Sequence, residues 1–272
     1  MPTVQINNRQ VHYFHNGRTS PQPALVLIHG AGGRSQSWPY QWQQTYASRG
    51  GVRRWVSDYP VYIPDLPGHG QSDPPGYDTI EAYAQFAIDF TTALGLEHVV
   101  YAGHSMGGAI ALTVGLMQPD NLRGLILLGS GAKMEVNALI LNGLQTDFEK
   151  TVRMIAKFSW QRDATPAFVA TGISHMLATP PEVVRGDFVA CSTFDVRKRL
   201  PEIEQPVLVV GGQHDKMMRL VASEKMAEGL PNAQLAAIDA GHFMMFEKTA
   251  QTTRQIVPFL AQIEQQVAAL TP

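Results

Sequence analysis

Short, unbroken apolar runs punctuate the chain at residues 24–28, 61–63, 99–102, 125–128, 207–210 and 235–238, all rich in Val, Ile and Leu. Continuous runs, rather than strict alternation, predict strands covered on both faces, as in a parallel sheet between helices. Residues 4–6 and 11–15 alternate more and predict an N-terminal hairpin. Helical spacing fills the gaps. Asp78 and Glu81 form a candidate capping box before Ile80, Tyr83, Ala84, Ala87 and Leu94. Residues 106–117 follow a strand directly. Ile256, Phe259, Leu260, Ile263, Val267 and Leu270 repeat on one helical face. Strand and helix alternate, so the fold class is α/β.

One segment interrupts that alternation. Residues 131–200 contain no strand-like run and read as short helices at 136–143, 148–160, 166–177 and 181–191. An insertion of this kind buries a small core of its own, and it can also form a lid over a pocket. Glycines cluster elsewhere: Gly30, Gly32 and Gly33 follow one strand, Gly68 and Gly70 the next, Gly103 the next, and Gly211 and Gly212 another. These are the carboxyl ends of strands in a parallel sheet, where ligands bind in open α/β folds.

Composition narrows the function. The 272 residues are 44% hydrophobic and only 16% charged, with 21 Lys+Arg against 23 Asp+Glu. The chain is long enough for a substantial core. A net charge of -2 gives no basic excess for phosphate neutralisation, which argues against nucleic-acid binding. The single cysteine, Cys191, excludes an intrachain disulfide and fits a reducing cytosol. The N-terminal residues 1–18 carry no apolar signal core, and no run approaches the ~20 residues of a membrane span. The expectation is a soluble, unanchored, cytoplasmic protein.

The strongest chemical motif is Gly103-His104-Ser105-Met106-Gly107, followed by Gly108. It fits G-x-S-x-G between a strand and a helix, the context of a nucleophile elbow. Its glycines let helix and strands pass a sharp turn, which lifts Ser105 toward a pocket. A serine hydroxyl needs a base. Asp215 follows the strand at 207–210, and His242 follows the strand ending near Ile238, giving the chain order Ser, Asp, His. His242 can take the Ser105 proton and Asp215 can hold the imidazole. The loop His29-Gly30-Ala31-Gly32-Gly33 offers a backbone N–H at Ala31, which with that of Met106 makes a candidate oxyanion hole. This loop matches neither a dinucleotide nor an NTP fingerprint.

The other histidines and acids are assigned lesser roles. His29 and His104 lie inside the motifs as structural or pocket-lining groups. His69 belongs to a turn, and His214 neighbours Asp215. His12, His15, His98 and His175 have no motif around them. Asp65 braces its own loop, and Asp239 is too near His242 in sequence to orient it. No His/Cys spacing suggests a metal.

These segments, together with Asp65-Leu66-Pro67-Gly68-His69-Gly70-Gln71-Ser72, resemble the serine-dependent α/β-hydrolase-fold superfamily in order and over nearly the whole chain. The resemblance implies an eight-stranded, mostly parallel sheet with helices on both faces. It places the core at residues 1–130 and 201–272 and a helical cap at 131–200 after the sixth strand. It implies a carboxylesterase-like enzyme using Ser105, Asp215 and His242 through an acyl-enzyme, with no cofactor and a small-molecule substrate. Ser105 at the elbow disfavours relatives with Asp there. Lactonases, thioesterases, carbon–carbon bond hydrolases and cofactor-free haloperoxidases share these segments. A small-molecule receptor on the same scaffold is the alternative from another class. One departure is a long link at 49–59, containing Arg53, Arg54 and Trp55. Expected pocket residues are Gly30, Gly32, Arg34, His104, Met134, Trp160, Met217 and Phe243, with Arg34 a candidate clamp for a substrate carboxylate. Met106 and Met218 are further apolar candidates, whereas Met244, Met245 and Phe243 read first as core.

Overall fold

The structure is a computed structural model that describes residues 2–19, 22–44 and 54–269. The chain opens with the antiparallel hairpin β1 (Thr3–Ile6) and β2 (Arg9–His15). Asn7 and Asn8 form its turn at φ 50° and 63°, a left-handed conformation that Asn tolerates. The remaining strands are β3 (Ala24–Ile28), β4 (Val61–Pro64), β5 (Val99–His104), β6 (Leu122–Leu128), β7 (Val207–Gly212) and β8 (Ala233–Ile238). They make one eight-stranded sheet in the order β1-β2-β4-β3-β5-β6-β7-β8. Only the β1–β2 and β2–β4 pairs are antiparallel; the other five are parallel. The α/β-hydrolase fold expected from the sequence is the fold observed.

Helices α1 (Tyr40–Gln43), α2 (Ile80–Ala93) and α3 (Met106–Met117) precede the insertion. The capping box expected from Asp78 and Glu81 does not form. Thr79 is the N-cap of α2, and its hydroxyl accepts from Ala82 N at 3.3 Å. The insertion comprises α4 (Ala138–Thr146), α5 (Phe148–Ser159), α6 (Pro166–Ala178) and α7 (Pro181–Thr193). After it come α8 (Leu220–Gly229), the single turn α9 (Met244–Glu247) and the C-terminal α10 (Thr249–Ala268). Residues 49–53 of the long link expected at 49–59 lie outside the described residues, as does Leu270. Within that link, Trp55 and Val56 are buried.

The apolar strands serve two cores by side-chain parity. Val26, Ile28, Tyr101, Leu125, Leu127 and Val209 pack with α2 and α3 on one face. Leu25, Leu27, Val100, Ile126, Leu128 and Val210 pack on the other with Ile256, Phe259, Leu260 and Ile263 of α10. This double coverage is why those runs are continuous in the sequence. Leu144, Val152, Ile155, Val184 and Phe188 form a separate small core within the insertion. Among the described residues no helix is long and apolar enough to cross a membrane.

Candidate active site

The turn between β5 and α3 is the most constrained part of the sheet edge. Ser105 sits there at φ 55° and ψ -118°. That region suits glycine, and for a residue with a Cβ it costs about 1–3 kcal/mol. The neighbours leave no room for another solution. A Cβ on Gly103 would overlap the Gly107 carbonyl, and one on Gly107 would overlap the Ile28 carbonyl of β3. Gly108 passes equally close to Ser130. The spacing of glycines read in the sequence is therefore a steric requirement of this crossing.

His242 and Asp215 come from loops after β8 and β7. His242 Nδ1 lies 2.7 Å from Asp215 Oδ2, and both side chains are buried. The other carboxylate oxygen, Oδ1, accepts from Met217 N and Met218 N at 2.8 Å each. Asp215 thus accepts on both carboxylate oxygens, and it orients the His242 ring through Nδ1. His242 Nε2 has no hydrogen-bond partner among the described residues, and His242 and Ser105 line one cavity. The Ser105 hydroxyl makes no hydrogen bond with His242 in this structure; apo sites commonly show such loose geometry. The backbone of His242 is anchored separately: its N–H donates to Ser159 O at 3.2 Å and its carbonyl faces His104 Nε2 at 2.9 Å.

Two histidines brace the site in neutral form. Burial, reinforced by the nearby His69, lowers the His29 pKa to about 3. Its Nδ1 faces Gly30 O at 2.9 Å and its Nε2 accepts from Leu66 N at 3.2 Å. His104 is pushed well below the ordinary imidazole value by burial and by His242. Asp65 braces its loop as expected, accepting from Ser35 N at 2.6 Å and Gln71 N at 3.0 Å. His214 and Asp239 pair with each other at an exposed position, 2.7 Å apart, away from His242.

Residues 25–255 match the alpha/beta hydrolase family. The chain belongs to that family. At that level it is a hydrolase. It is 26% identical over 247 residues to a putative carbamate hydrolase, RutD, from Agrobacterium fabrum, covering 85% of this chain and 90% of the relative. It is 28% identical over 276 residues to a 2-hydroxy-6-oxononadienedioate/2-hydroxy-6-oxononatrienedioate hydrolase from Paraburkholderia phymatum, covering 93% and 91%. Among solved structures, the enol-lactonase from Burkholderia xenovorans LB400 superposes with a TM-score of 0.85 at 21% identity, over 96% of this chain and 100% of that one. This last likeness concerns the fold alone.

Within this family frame, the cavity above Ser105 measures about 160 Å³. That is close to the roughly 150 Å³ that holds a benzene molecule. Of the residues expected at the pocket, Gly30, Gly32, His104, Met134, Trp160, Met217 and Phe243 line this cavity, and the oxyanion candidate Ala31 lines it as well. Arg34 does not. Its guanidinium turns away and donates to His175 O at 2.9 Å, so the expected carboxylate clamp is absent. Met106 also departs from expectation: its side chain packs in the core beneath α3. Phe243, read first as core, in fact does both, since it packs against the buried Met cluster and lines the cavity.

The insertion supplies lining that the sequence reading missed. Phe168, Met176, Phe188 and Cys191 face the cavity, joined by Phe246 from α9. Trp160 stacks on Phe243 with ring centroids 4.3 Å apart, and Phe168 meets Phe246 at 5.4 Å. Two acids outside the motifs were missed too. Asp187 lies on the apolar face of α7, spaced among Val183, Val184, Phe188 and Cys191, and an acid in that pattern is a readable signal. It is met by His69 and Tyr83. Glu247, an acid closing an apolar turn, accepts from Gly241 N at 2.6 Å and Gln161 N at 3.3 Å, joining the His242 loop to the insertion.

Proposed function

We propose that this protein hydrolyses neutral carboxylic esters with an apolar, benzene-sized group, through an acyl-enzyme on Ser105. The observation that carries this reading is the buried His242–Asp215 pair, whose imidazole lines the same apolar cavity as the strained Ser105. In the proposed reaction, Ser105 Oγ attacks the ester carbonyl as its proton passes to His242 Nε2. Asp215 stabilises the imidazolium. The oxyanion is met by the Ala31 and Met106 N–H groups, which find no acceptor among the described residues. Collapse breaks the bond to the alcohol, which leaves with the proton from His242. Water then gives a proton to His242 as it attacks the acyl carbon; collapse expels Ser105 Oγ, which takes that proton back from His242, and the carboxylic acid leaves. None of these steps calls on a cofactor. Helices α4–α7 act as the cap that encloses the acyl or alcohol group.

Charge supports the choice of neutral substrates. No Lys or Arg lines the cavity among the described residues, and its one carboxylate is Glu135. A carboxylate-bearing substrate, such as the dioate named for the Paraburkholderia relative, would meet no counter-charge there. Its desolvation would go uncompensated.

The test is hydrolysis of a p-nitrophenyl ester series by wild type and Ser105→Ala, with intact-mass analysis after organophosphonate treatment. Turnover and single labelling by wild type alone support the reading, and the preferred acyl group sizes the pocket. A wild type that neither turns over nor labels sinks it. Labelling without ester turnover would keep the nucleophile and reject the substrate; lactones, carbamates and carbon–carbon substrates would come next. Slow turnover with ligand-dependent hydrogen exchange in α4–α7 would instead favour a receptor.

A further inference from the structure

Asp187 stands on α7, in the insertion, with its carboxylate fully enclosed. Nothing in the proposed reaction uses it, yet three donors converge on it. Gly32 N donates to Oδ2 at 2.8 Å, and Tyr83 OH donates to Oδ1 at 2.7 Å. His69 Nε2 lies 2.8 Å from Oδ2, while its Nδ1 faces Pro67 O at 3.0 Å. Both imidazole nitrogens therefore face acceptors, and the ring can satisfy both only as an imidazolium. Burial opposes that charge, but the adjacent carboxylate and its hydrogen bond outweigh it, so the His69 pKa is raised. The pair neutralises itself, so the carboxylate adds no repulsive field for an anion forming nearby.

The partner that matters is Gly32. Ala31 lies between two peptide planes, and the structure holds both. The Gly30–Ala31 plane is fixed through Gly30 O, which faces His29 Nδ1 and accepts from Gly33 N at 3.0 Å. The Ala31–Gly32 plane is fixed through Gly32 N by Asp187. The Ala31 N–H lies in the first plane; Asp187 holds the second, the central peptide of the Gly30–Gly33 turn, and so keeps the turn that carries the first from shifting. Gly32 sits at φ 64°, so it has no stiff Cβ-restricted preference of its own to fix the turn. Its N–H is also consumed by Asp187, which removes it as an oxyanion donor and leaves Ala31.

We infer that Asp187, reaching from helix α7 of the insertion, is a positioning residue that, through Gly32, holds the Gly30–Gly33 turn presenting the Ala31 N–H to the oxyanion. The inference rests on the Ser105 reading above. The cap then does more than enclose substrate: it completes the geometry of the oxyanion loop.

The experiment measures kcat, KM and inhibition by an aryl trifluoromethyl ketone, which adds Ser105 to form an oxyanion. It uses wild type, Asp187→Asn and Asp187→Ala, with the alcohol product as a ground-state control. Asp187→Ala leaves Gly32 without its acceptor, and kcat falls about 10–100-fold, up to the effect of a misplacement of about 1 Å. KM and product affinity stay within twofold. Asp187→Asn keeps a carbonyl oxygen for Gly32 and recovers kcat to within about tenfold of wild type, below it because a neutral bond is weaker than a charge-assisted one. Ketone affinity falls in step with kcat/KM across the series. A merely structural role would lower the melting temperature without this split. The inference is overturned if folded Asp187→Ala keeps kcat and ketone affinity within twofold. Should that variant not fold, Asp187→Ser, which keeps a polar group but is too short to reach Gly32 N, takes its place, and kcat and ketone affinity within twofold overturn the inference equally. Wild type without turnover or phosphonate labelling overturns both this inference and the Ser105 reading; an effect missing only in the Asp187 variants leaves the latter standing.

Discussion

The backbone at Ser105 permits a prediction about stability that is independent of any substrate. Ser105 holds φ 55° and ψ -118°, close to the first central position of a type II′ turn, which glycine adopts freely. A Cβ there costs about 1–3 kcal/mol. The Ser105 hydroxyl makes no hydrogen bond among the described residues, so Ser105→Ala keeps the strain and loses little else. Ser105→Gly releases the strain but gives the unfolded chain more freedom, worth about 0.4–1 kcal/mol. The glycine variant should therefore exceed the alanine variant by up to about 2.6 kcal/mol. With an unfolding entropy of roughly 2.1 cal/mol/K per residue, 272 residues give about 0.6 kcal/mol/K, so each kcal/mol moves Tm by about 2 °C. Ser105→Gly should melt up to about 5 °C above Ser105→Ala, and both should lack hydrolase activity. Calorimetry or circular dichroism at one scan rate reads the difference. A glycine variant that melts below the alanine variant would refute the strain at the elbow.

Three further outcomes follow from the geometry. His29 is buried neutral with its pKa lowered to about 3, so the unfolded chain takes up its proton first as pH falls below 6.5. Its contribution is complete above that value and declines by roughly 1 kcal/mol for each pH unit toward 3. Urea midpoints from pH 7 to 4 should fall more steeply for wild type than for His29→Gln, and parallel slopes would contradict the assignment. Gly107→Ala drives a Cβ into the Ile28 carbonyl, a clash that only backbone movement relieves. It should lose on the order of 4 kcal/mol or more, or fail to yield folded protein, where a denaturant midpoint near wild type would count against the crossing. Thr79→Ala removes the N-cap bond to Ala82 and should cost about 1 kcal/mol, a Tm drop of about 2 °C with kcat unchanged.

Much of this fold and site was legible because it depends on local chemistry. The strands at residues 24–28, 99–104 and 207–212 are buried on both faces, so both parities must be apolar, and the runs show it. Ser105 was legible because its turn excludes every Cβ at 103 and 107. Asp215 and His242 were found as the first acid and histidine after their strands, in the expected order. Asp78 was a near miss for Thr79, since either side chain can cap and only the chain's entry into α2 chooses. Arg34 was misread because proximity in sequence to the oxyanion loop says nothing of where a long side chain ends. A carbonyl from α6, 141 positions away, settles it.

The sequence by itself determined the element types, the parallel α/β class, the elbow and the residues that can supply a nucleophile, an acid and a base. Those follow from periodicity, steric limits at glycine and the intrinsic chemistry of side chains, all of which act over a few residues. Only the tertiary structure decided which wall each residue joins. It placed Phe168 and Phe246 on one aromatic face, sent Met106 into the core, and brought Asp187 from helix α7 to Gly32 and His69 on two loops. Such contacts depend on how elements far apart in the chain pack together, and on whether a buried charge finds donors there. Asp187 and His69 are separated by 118 positions, and only the closed fold makes each the other's counter-charge.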